Sequence, residues 1–264
     1  MDADDPKPFE FLSSYYDFNH LTPSIPPAGQ VDGEDNWKHA IVYPGFDITN
    51  SDSYDGSIIM KYKNSGSGIG VSSSRVNDLS FSLPPFQSTD DSITIQFDFQ
   101  SGHWGGGFGI GYDKNNDGRL HYSKGDYVDH TELGPSVFVG SHCNVGVSVR
   151  NPANSGTISS TTYSSISNIS CDNSDNAYPS EWVRFRLVID LQANGGQGSG
   201  NLEYMNLSRG DTNFQQVTSH QNLNLGLQSG QNNGADPNKW NGMWFAMEGR
   251  PYAIDNVKFI RIPD

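Results

Sequence analysis

Residues 92–100 read Ser-Ile-Thr-Ile-Gln-Phe-Asp-Phe-Gln, a strict alternation of apolar and polar side chains. A period of two is typical of a β-strand that buries one of its faces. Shorter runs with this period are separated by turn-forming residues and lie at 57–63, 79–83, 108–112, 145–149, 183–189, 202–206, 244–248 and 254–262. No stretch has a convincing helical period. The sequence therefore predicts an all-β fold, a two-sheet antiparallel β-sandwich.

The composition favours strands joined by tight turns. Glycine accounts for 29 of the 264 residues, and charged residues for only 17%. Serine and asparagine are abundant as well, and these residues prefer turns to helices. Because no shift in composition marks a linker, we expect a single domain over residues 1–264. Within it we expect a flexible tail at 1–8 and a long surface excursion at the Ser/Thr/Asn-rich residues 151–180.

The chain is acidic, since 16 Lys and Arg against 30 Asp and Glu give a net charge of −14. Binding to nucleic acid or to an anionic membrane surface requires clustered basic residues, so we expect neither partner. No run of 18 apolar residues occurs, which argues against a membrane-spanning segment. The charge balance fits a soluble protein, expected to be a monomer, that meets neutral or cationic partners or holds calcium.

The chain contains two cysteines, Cys143 and Cys171. One disulfide between them would suit an oxidising compartment, and two buried thiols in a cytosolic protein are the alternative. A bridge would restrain the excursion at 151–180. The first residues, Met-Asp-Ala-Asp-Asp-Pro, look like a methionine added to a processed terminus. Together these features predict a secreted, cell-surface or periplasmic protein.

Both ends of the chain resemble a known superfamily. The segments that carry the likeness are Tyr16-Asp17-Phe18-Asn19, Gly29-Gln30-Val31-Asp32-Gly33 with Trp37, and Tyr252-Ala253-Ile254-Asp255-Asn256-Val257-Lys258-Phe259. They resemble concanavalin A-like lectin/glucanase domains and the related jelly-roll carbohydrate-binding modules. The resemblance implies a jelly roll in which the first and last strands lie side by side. It also implies that the partner is a polysaccharide or another glycan.

The same resemblance implies a structural calcium ion held by Asp17, a carbonyl near Gly33 and Asp255. Asp255 is in phase with Val257 and Phe259, so we expect it to face the core. A carboxylate buried there needs a cation or several hydrogen bonds, and calcium takes six to eight oxygen ligands. The alternative is a strand bulge at Asp255, with the carboxylate meeting solvent or backbone N–H groups.

A second acidic loop covers residues 113–118, Asp-Lys-Asn-Asn-Asp-Gly. It matches the first half of an EF-hand calcium loop, which would use Asp113, Asn115 and Asp117 as ligands. The glutamate that closes such a loop is missing, because Lys124 occupies its position. Asn-Asp-Gly is also strong turn chemistry, so a hairpin turn is favoured and a weak ion site is the alternative.

Aromatic side chains are the candidates for sugar contact, because their faces stack on the C–H surfaces of sugars. Trp104 lies among glycines, and Trp240 lies close to Trp244, which shares an alternating face with Ala246 and Glu248. Packing is the alternative for each tryptophan, and we assign Trp37 and Trp182 to it. The predicted ligand-binding set is Trp104, Trp240, Trp244, His103, Tyr122 and Arg250.

Catalysis is less expected than binding. The Glu-x-Asp-x-x-Glu cluster that retaining glucanases of this fold usually carry is absent. A glycoside hydrolase would need two carboxylates close together, and Glu248 with Asp98 or Glu132 is the pair to test. A polysaccharide lyase would need a base, an acid and cationic groups, which His103, His121, Tyr122, Arg119 and Arg250 could supply. A structural or adhesive cell-surface protein is a third possibility.

Overall fold

The computed structural model describes fifteen segments of the chain. They are residues 12–16, 37–39, 46–49, 54–55, 59–62, 76–82, 92–100, 105–115, 131–140, 144–150, 158–160, 164–166, 169, 181–248 and 253–262. Almost all of the regular structure in them is β-strand, and every strand pairing is antiparallel. Among these described residues, helix is limited to a four-residue turn at Ala193–Gly196 and to 3-10 turns at Leu207–Arg209, Thr218–His220 and Pro237–Lys239.

The described strands form two sheets, the first with nine strands in the order β14-β13-β12-β6-β17-β4-β3. In addition, β1 pairs with β17 and β15 pairs with β13, so the first and last described strands lie side by side. The bounds are β1 Leu12–Tyr16, β3 Phe46–Thr49, β4 Ile59–Tyr62, β6 Ser92–Gln100, β12 Trp182–Asp190, β13 Ser199–Asn206, β14 Gln215–Gln216, β15 Leu223–Asn224 and β17 Ala253–Ile262.

The second sheet has eight described strands in the order β10-β9-β8-β7-β16-β5-β2, and β11 also pairs with β9. The bounds are β2 Trp37–His39, β5 Val76–Ser82, β7 Gly105–Gly111, β8 Leu133–Gly140, β9 Asn144–Arg150, β10 Ile158–Ser160, β11 Ser164–Ser165 and β16 Gly242–Glu248. Two of these strands, β10 and β11, lie within the excursion predicted at 151–180. Ile166, next to β11, is only 7% exposed and packs in the core.

The core lies between the two sheets, where apolar side chains from both inner faces meet. On the nine-stranded sheet β6 contributes every second residue, and all four of its core side chains are at most 3% exposed. Phe97 of β6 stacks on Phe108 of the other sheet, with ring centroids 4.6 Å apart. It also contacts Phe185 at 5.7 Å and Phe99 at 6.0 Å. The alternation that predicted β6 therefore corresponds to real burial of one face.

The predicted fold class is confirmed, as are the strands predicted from alternating runs. Eight of the seventeen described strands were not predicted from alternating runs, and the longest of these is β8. Gly134 and Pro135 interrupt its alternation, and the pairing of β7 with β8 shifts register between Gly109 and Gly111. A local irregularity thus concealed a strand that lies in the middle of its sheet. Among the described residues, no helix is long and apolar enough to cross a membrane.

Replacing Phe97 with alanine should lower the free energy of unfolding by about 3–5 kcal/mol, since it removes the ring at the centre of the core. Gln96→Ala is the matched control, because Gln96 is the half-buried neighbour on the other face of β6. We expect a change of no more than ~0.5 kcal/mol for it. Urea denaturation measures both values. Equal losses for the two variants would contradict a core centred on Phe97.

Candidate functional site

Strand β7 has an unusual outer face, the face turned away from the core. Its sequence is Gly-Gly-Gly-Phe-Gly-Ile-Gly, and Phe108 and Ile110 are both fully buried in the core. Since side chains alternate along a strand, the residues on the outer face are all glycines. We call these four residues the glycine strip: Gly105, Gly107, Gly109 and Gly111. Glycine inside a strand often marks a place where a ligand or another backbone approaches closely.

The register of β16 places three further positions beside the glycine strip. Trp244 pairs with Gly109, Ala246 pairs with Gly107, and Glu248 pairs with Gly105. Directly paired residues of an antiparallel sheet share a face, so positions 244, 246 and 248 are on the outer face as well. On its other side, Trp244 pairs with Ser80 of β5. On the outer face, position 244 therefore lies between Gly109 of β7 and Ser80 of β5.

Strand β8 lies on the other side of the glycine strip. A side chain of β8 accounts for the glycine at position 109. A Cβ atom added at Gly109 would lie 2.2 Å from the hydroxyl oxygen of Ser136. Ser136 is only 1% exposed, and its hydroxyl donates a hydrogen bond to the carbonyl of Gly134. Packing thus requires glycine at 109. Gly107 and Gly105 lie further along the strip, where they pair with Phe138 and Gly140.

Residues 112–115 form a turn next to Gly111, at one end of the glycine strip, and side-chain hydrogen bonds hold this turn. The Glu132 side chain is buried, and its Oε1 accepts a hydrogen bond from the backbone N–H of Lys114. Asn241 binds the backbone of Asp113 twice, accepting from its N–H at 2.8 Å and donating to its carbonyl at 3.3 Å. Glu132 therefore organises this turn. Asp113 and Asn115, two of the weaker calcium candidates, lie in the same turn, half-buried and exposed respectively.

Glu132 and Glu248 are not brought together. Glu132 precedes Leu133, which pairs with Gly111, whereas Glu248 pairs with Gly105 at the other end of β7. Six residues of β-strand separate these two ends, about 20 Å. Glycoside hydrolysis needs carboxyl groups within roughly 10 Å of each other. This pair of catalytic candidates therefore does not have the geometry of a glycosidase.

The prediction that Trp240 contacts the ligand is wrong, because its ring is buried. Its side chain is 1% exposed and belongs to the core cluster. The indole N–H donates to the carbonyl of Gly234 at 2.8 Å, so burial leaves no unmet hydrogen bond. Trp182, assigned to packing, is 3% exposed and contacts the ring of Tyr54 at 5.6 Å.

The outer face of the nine-stranded sheet carries a buried polar cluster centred on Asp98. The Asp98 carboxylate is 0% exposed and accepts from Arg184 Nε and Nη2 at 2.5 and 2.7 Å. It also accepts from Asn256 Nδ2 at 2.8 Å and from the Tyr54 hydroxyl at 3.0 Å. All its partners are donors, so the acid functions here as a carboxylate. We call Asp98, Arg184, Asn256, Tyr54 and Asp255 the Asp98 cluster.

Burial raises the pKa of the Asp98 carboxyl, and the hydrogen bonds and charge of Arg184 oppose that rise. Burial and the negative charge of Asp98 raise the pKa of Tyr54, so its phenol keeps the proton that it donates. Asp98 lies on the outer face of one sheet, whereas position 248 lies on the outer face of the other. The pairing of Asp98 with Glu248 as a catalytic dyad is therefore wrong.

Asp255 is buried, at 0% exposure, but on the opposite face from the one predicted. The pairing of β17 with β6 shifts between Asp255 and Lys258, and Asn256 has a left-handed φ of 48°. This bulge inverts the alternation, so Asp255 pairs with Asp98 while Val257 packs in the core. Asp255 Oδ1 accepts the backbone N–H of Asn256 at 2.8 Å, as the bulge alternative supposed.

Within the segments that the structure describes, no group of three or more His, Cys, Asp or Glu could hold a metal ion. The cation that faces Asp98 is the guanidinium of Arg184. Several predicted residues lie outside the described residues: Asp17, Gly33, His103, Trp104, Asp117, Arg119, His121, Tyr122, Cys143, Cys171 and Arg250. The sequence singled out Asp98 and Asp255 separately, and no local pattern revealed that the two are paired.

No protein-family model matches the chain, and no curated protein matches it either. Among solved structures, the lectin from Bauhinia forficata in complex with GalNAc is similar. It is 11% identical, the match covers 96% of this chain and 99% of the lectin, and the TM-score is 0.52. The chain has a concanavalin A-like fold.

Two other solved structures are similar at lower TM-scores. An alginate lyase, Aly36B, in complex with an alginate tetrasaccharide is 10% identical over 96% of this chain and 97% of its own, with a TM-score of 0.47. The exoplasmic/lumenal domain of VIP36 in its Ca2+/Man3GlcNAc-bound form is 10% identical over 86% of this chain and 84% of its own, with a TM-score of 0.45.

Asp98→Ala should destabilise this concanavalin A-like fold by about 3–5 kcal/mol, because it removes the partner of a charge in a buried pair. Glu203→Ala is a matched control on the same face. Its partner Arg186 is two residues from Arg184 in β12, but that pair is more exposed, at 31% and 18%. We expect ~1 kcal/mol or less for it. Urea denaturation compares the two variants, and similar losses would show that burial of the Asp98 cluster contributes nothing.

Proposed function

We propose that the chain binds a polysaccharide on the outer face of the eight-stranded sheet, along the glycine strip. The observation that supports this site is the pairing of Trp244 with Gly109, next to a strand whose outer face consists only of glycine. A tryptophan at position 244 would offer an aromatic face for stacking on a sugar ring. The glycines would let the sugar reach the backbone of β7.

The length of the strip favours an extended ligand over a single sugar. Trp104 immediately precedes Gly105, whereas Trp244 pairs with Gly109. Four residues of strand separate these two glycines, which corresponds to about 13 Å. A ligand that contacts both tryptophans would therefore extend over several sugar units. In the sequence, His103 lies two residues before Gly105, and Arg250 lies two residues after Glu248, the pairing partner of Gly105. We propose that His103, Arg250 and Tyr122 supply polar contacts.

Binding is favoured over cleavage because the proposed carboxylate pairs do not meet. Asp98 is held by Arg184 on the other sheet, and Glu132 is bonded to the turn at the far end of β7. The Bauhinia forficata lectin shares the fold and is solved with GalNAc. We extend the proposal to an exported, single-domain, monomeric protein with a disulfide between Cys143 and Cys171, as an oxidising compartment permits.

We also propose a structural calcium ion that Asp255, Asp17 and the carbonyl near Gly33 would hold. Tyr16 pairs with Val257, which lies two residues from Asp255, and Asp17 is the next residue in the sequence. Asp255 would supply carboxylate oxygen, and because calcium takes six to eight oxygen ligands the remaining ones must come from other residues. Asp98 contributes little negative charge to such an ion, because Arg184 already neutralises it.

Trp244→Ala should weaken the retention of polysaccharide at least about tenfold, a loss of ~1.4 kcal/mol, because it removes the stacking surface. Trp104→Ala should have a similar effect. Phe214→Ala is the aromatic control, since Phe214 lies against Arg186 on the nine-stranded sheet. A panel of neutral, cationic and anionic polysaccharides immobilised for pulldown measures retention. The site is wrong if Phe214→Ala reduces retention as much as Trp244→Ala does.

The same incubations distinguish the other functions. Retention without new chain ends supports a binding module. New reducing ends without unsaturated ends would identify a glycoside hydrolase, whereas new unsaturated ends would identify a polysaccharide lyase. If no polysaccharide in the panel is retained or cut, a structural or adhesive role becomes the leading hypothesis.

Removal of calcium should lower the thermal midpoint of the wild-type chain. At a calcium concentration of a hundred times the dissociation constant, the ion would contribute about 2.7 kcal/mol. Asp255→Asn should abolish the response to chelator. Asp113→Asn should retain the response, which would exclude the acidic loop 113–118 as the calcium site. Scanning calorimetry with calcium and with chelator measures the difference. A wild-type midpoint that does not respond to chelator would overturn the calcium proposal.

A further inference from the structure

The chain contains three Asn-Gly sequences, Asn194-Gly195, Asn233-Gly234 and Asn241-Gly242, and the structure describes all three. In such a sequence the backbone nitrogen of the glycine can attack Cγ of the asparagine, because no Cβ on the glycine hinders the approach. The attack requires that the asparagine amide can turn and that the glycine N–H is not held. The three sites differ in these respects.

Two of the sites are held by specific contacts. Gly234 donates its N–H to the carbonyl of Thr131 at 2.6 Å, and Asn233 Oδ1 accepts the N–H of Ala235 at 2.8 Å. A Cβ atom at Gly234 would lie 2.4 Å from two backbone carbonyl oxygens, so this backbone is tightly enclosed. Asn241 is bonded through both its amide oxygen and its amide nitrogen to Asp113.

Gly242, which follows Asn241, is also restrained. It is buried, and it lies in the middle of the eight-stranded sheet, where it pairs with Gly111 on one side and Ser82 on the other. Rotation of this peptide would disrupt pairing to two neighbouring strands. Both the 233 and the 241 sites are therefore protected by the native fold.

The third site lies in the turn between β12 and β13, where Asn194 and Gly195 are both exposed. Apart from the turn's own backbone, no atom lies within 4 Å of where a Cβ of Gly195 or Gly196 would be, so the surroundings leave the turn room to rearrange. The Asn194 amide makes one bond, from Nδ2 to the carbonyl of Gly198 at 3.0 Å. Asn194 and Gly195 have left-handed φ values of 55° and 68°, a conformation that costs asparagine energy.

We propose that Asn194 is a site of spontaneous modification through a cyclic imide, and that the fold protects Asn233 and Asn241. The nitrogen of Gly195 forms a bond to Cγ of Asn194, the Cγ–Nδ2 bond breaks, and ammonia leaves with the proton from the glycine N–H. Water then opens the ring at either carbonyl and gives aspartate or isoaspartate. The net change replaces an amide with a carboxylate and adds one negative charge to the turn.

Trypsin separates the three sites, because it cuts after Arg186, Arg209, Lys239 and Lys258. Residues 187–209, 210–239 and 240–258 then form three peptides with one Asn-Gly each. The purified full chain is incubated at mildly alkaline pH, in buffer and in urea, and fragment mass spectra locate each new carboxylate. Asn194→Gln is the control variant, and it should remove the product at 194 alone.

In the folded chain, conversion at 194 should exceed that at 233 or 241 at least tenfold, the ratio that a barrier difference of about 1.4 kcal/mol produces. In urea the three rates should come close together, which attributes the selectivity to the fold. The proposal is overturned if 233 or 241 converts as fast as 194 in the folded chain. It is also overturned if 194 resists conversion in the folded chain while it reacts in urea.

Discussion

The contact between Phe97 and Phe108 joins the two sheets, and the rest of the sandwich depends on it. Phe97 belongs to β6 and Phe108 to β7, which lie in different sheets with only a short segment of chain between them. Burial of these rings fixes which face of each strand is inward. The outer faces follow from that constraint: polar residues on β6 and glycines on β7. A change of register in either strand would expose the rings.

The two outer faces are built differently. The face of the nine-stranded sheet near Asp98 is already occupied, since Tyr54 and Trp182 cover it and Arg184 and Asn256 satisfy the buried carboxylate. Such a cluster stabilises the fold only when every polar group finds a partner, so it leaves few polar groups to bind a polysaccharide. On the outer face of the eight-stranded sheet, by contrast, β7 carries only glycines. This difference favours the eight-stranded sheet as the binding face.

Much of the fold could be predicted from the sequence, because alternation is a local property that burial imposes directly. Residues 92–100 and 183–189 show this most clearly. The failures occur where a single local irregularity changes the pattern. Gly134 and Pro135 concealed β8, and the bulge at Asn256 moved Asp255 from the predicted inner face to the outer one. Trp240 was misplaced because its neighbours are polar, whereas its partner Gly234 lies six residues away in a loop.

The candidate site shows a different limit, because its evidence is not local. The glycines of β7 are visible in the sequence, but alone they could equally mark a turn. Only the register of β16 against β7 shows that Trp244 lies beside them on one face. The Asp98 cluster is similar, since it joins residues separated by up to 202 positions in the chain. Such a site can be recognised in a sequence only after strand order and register are known, because those two quantities decide which residues become neighbours.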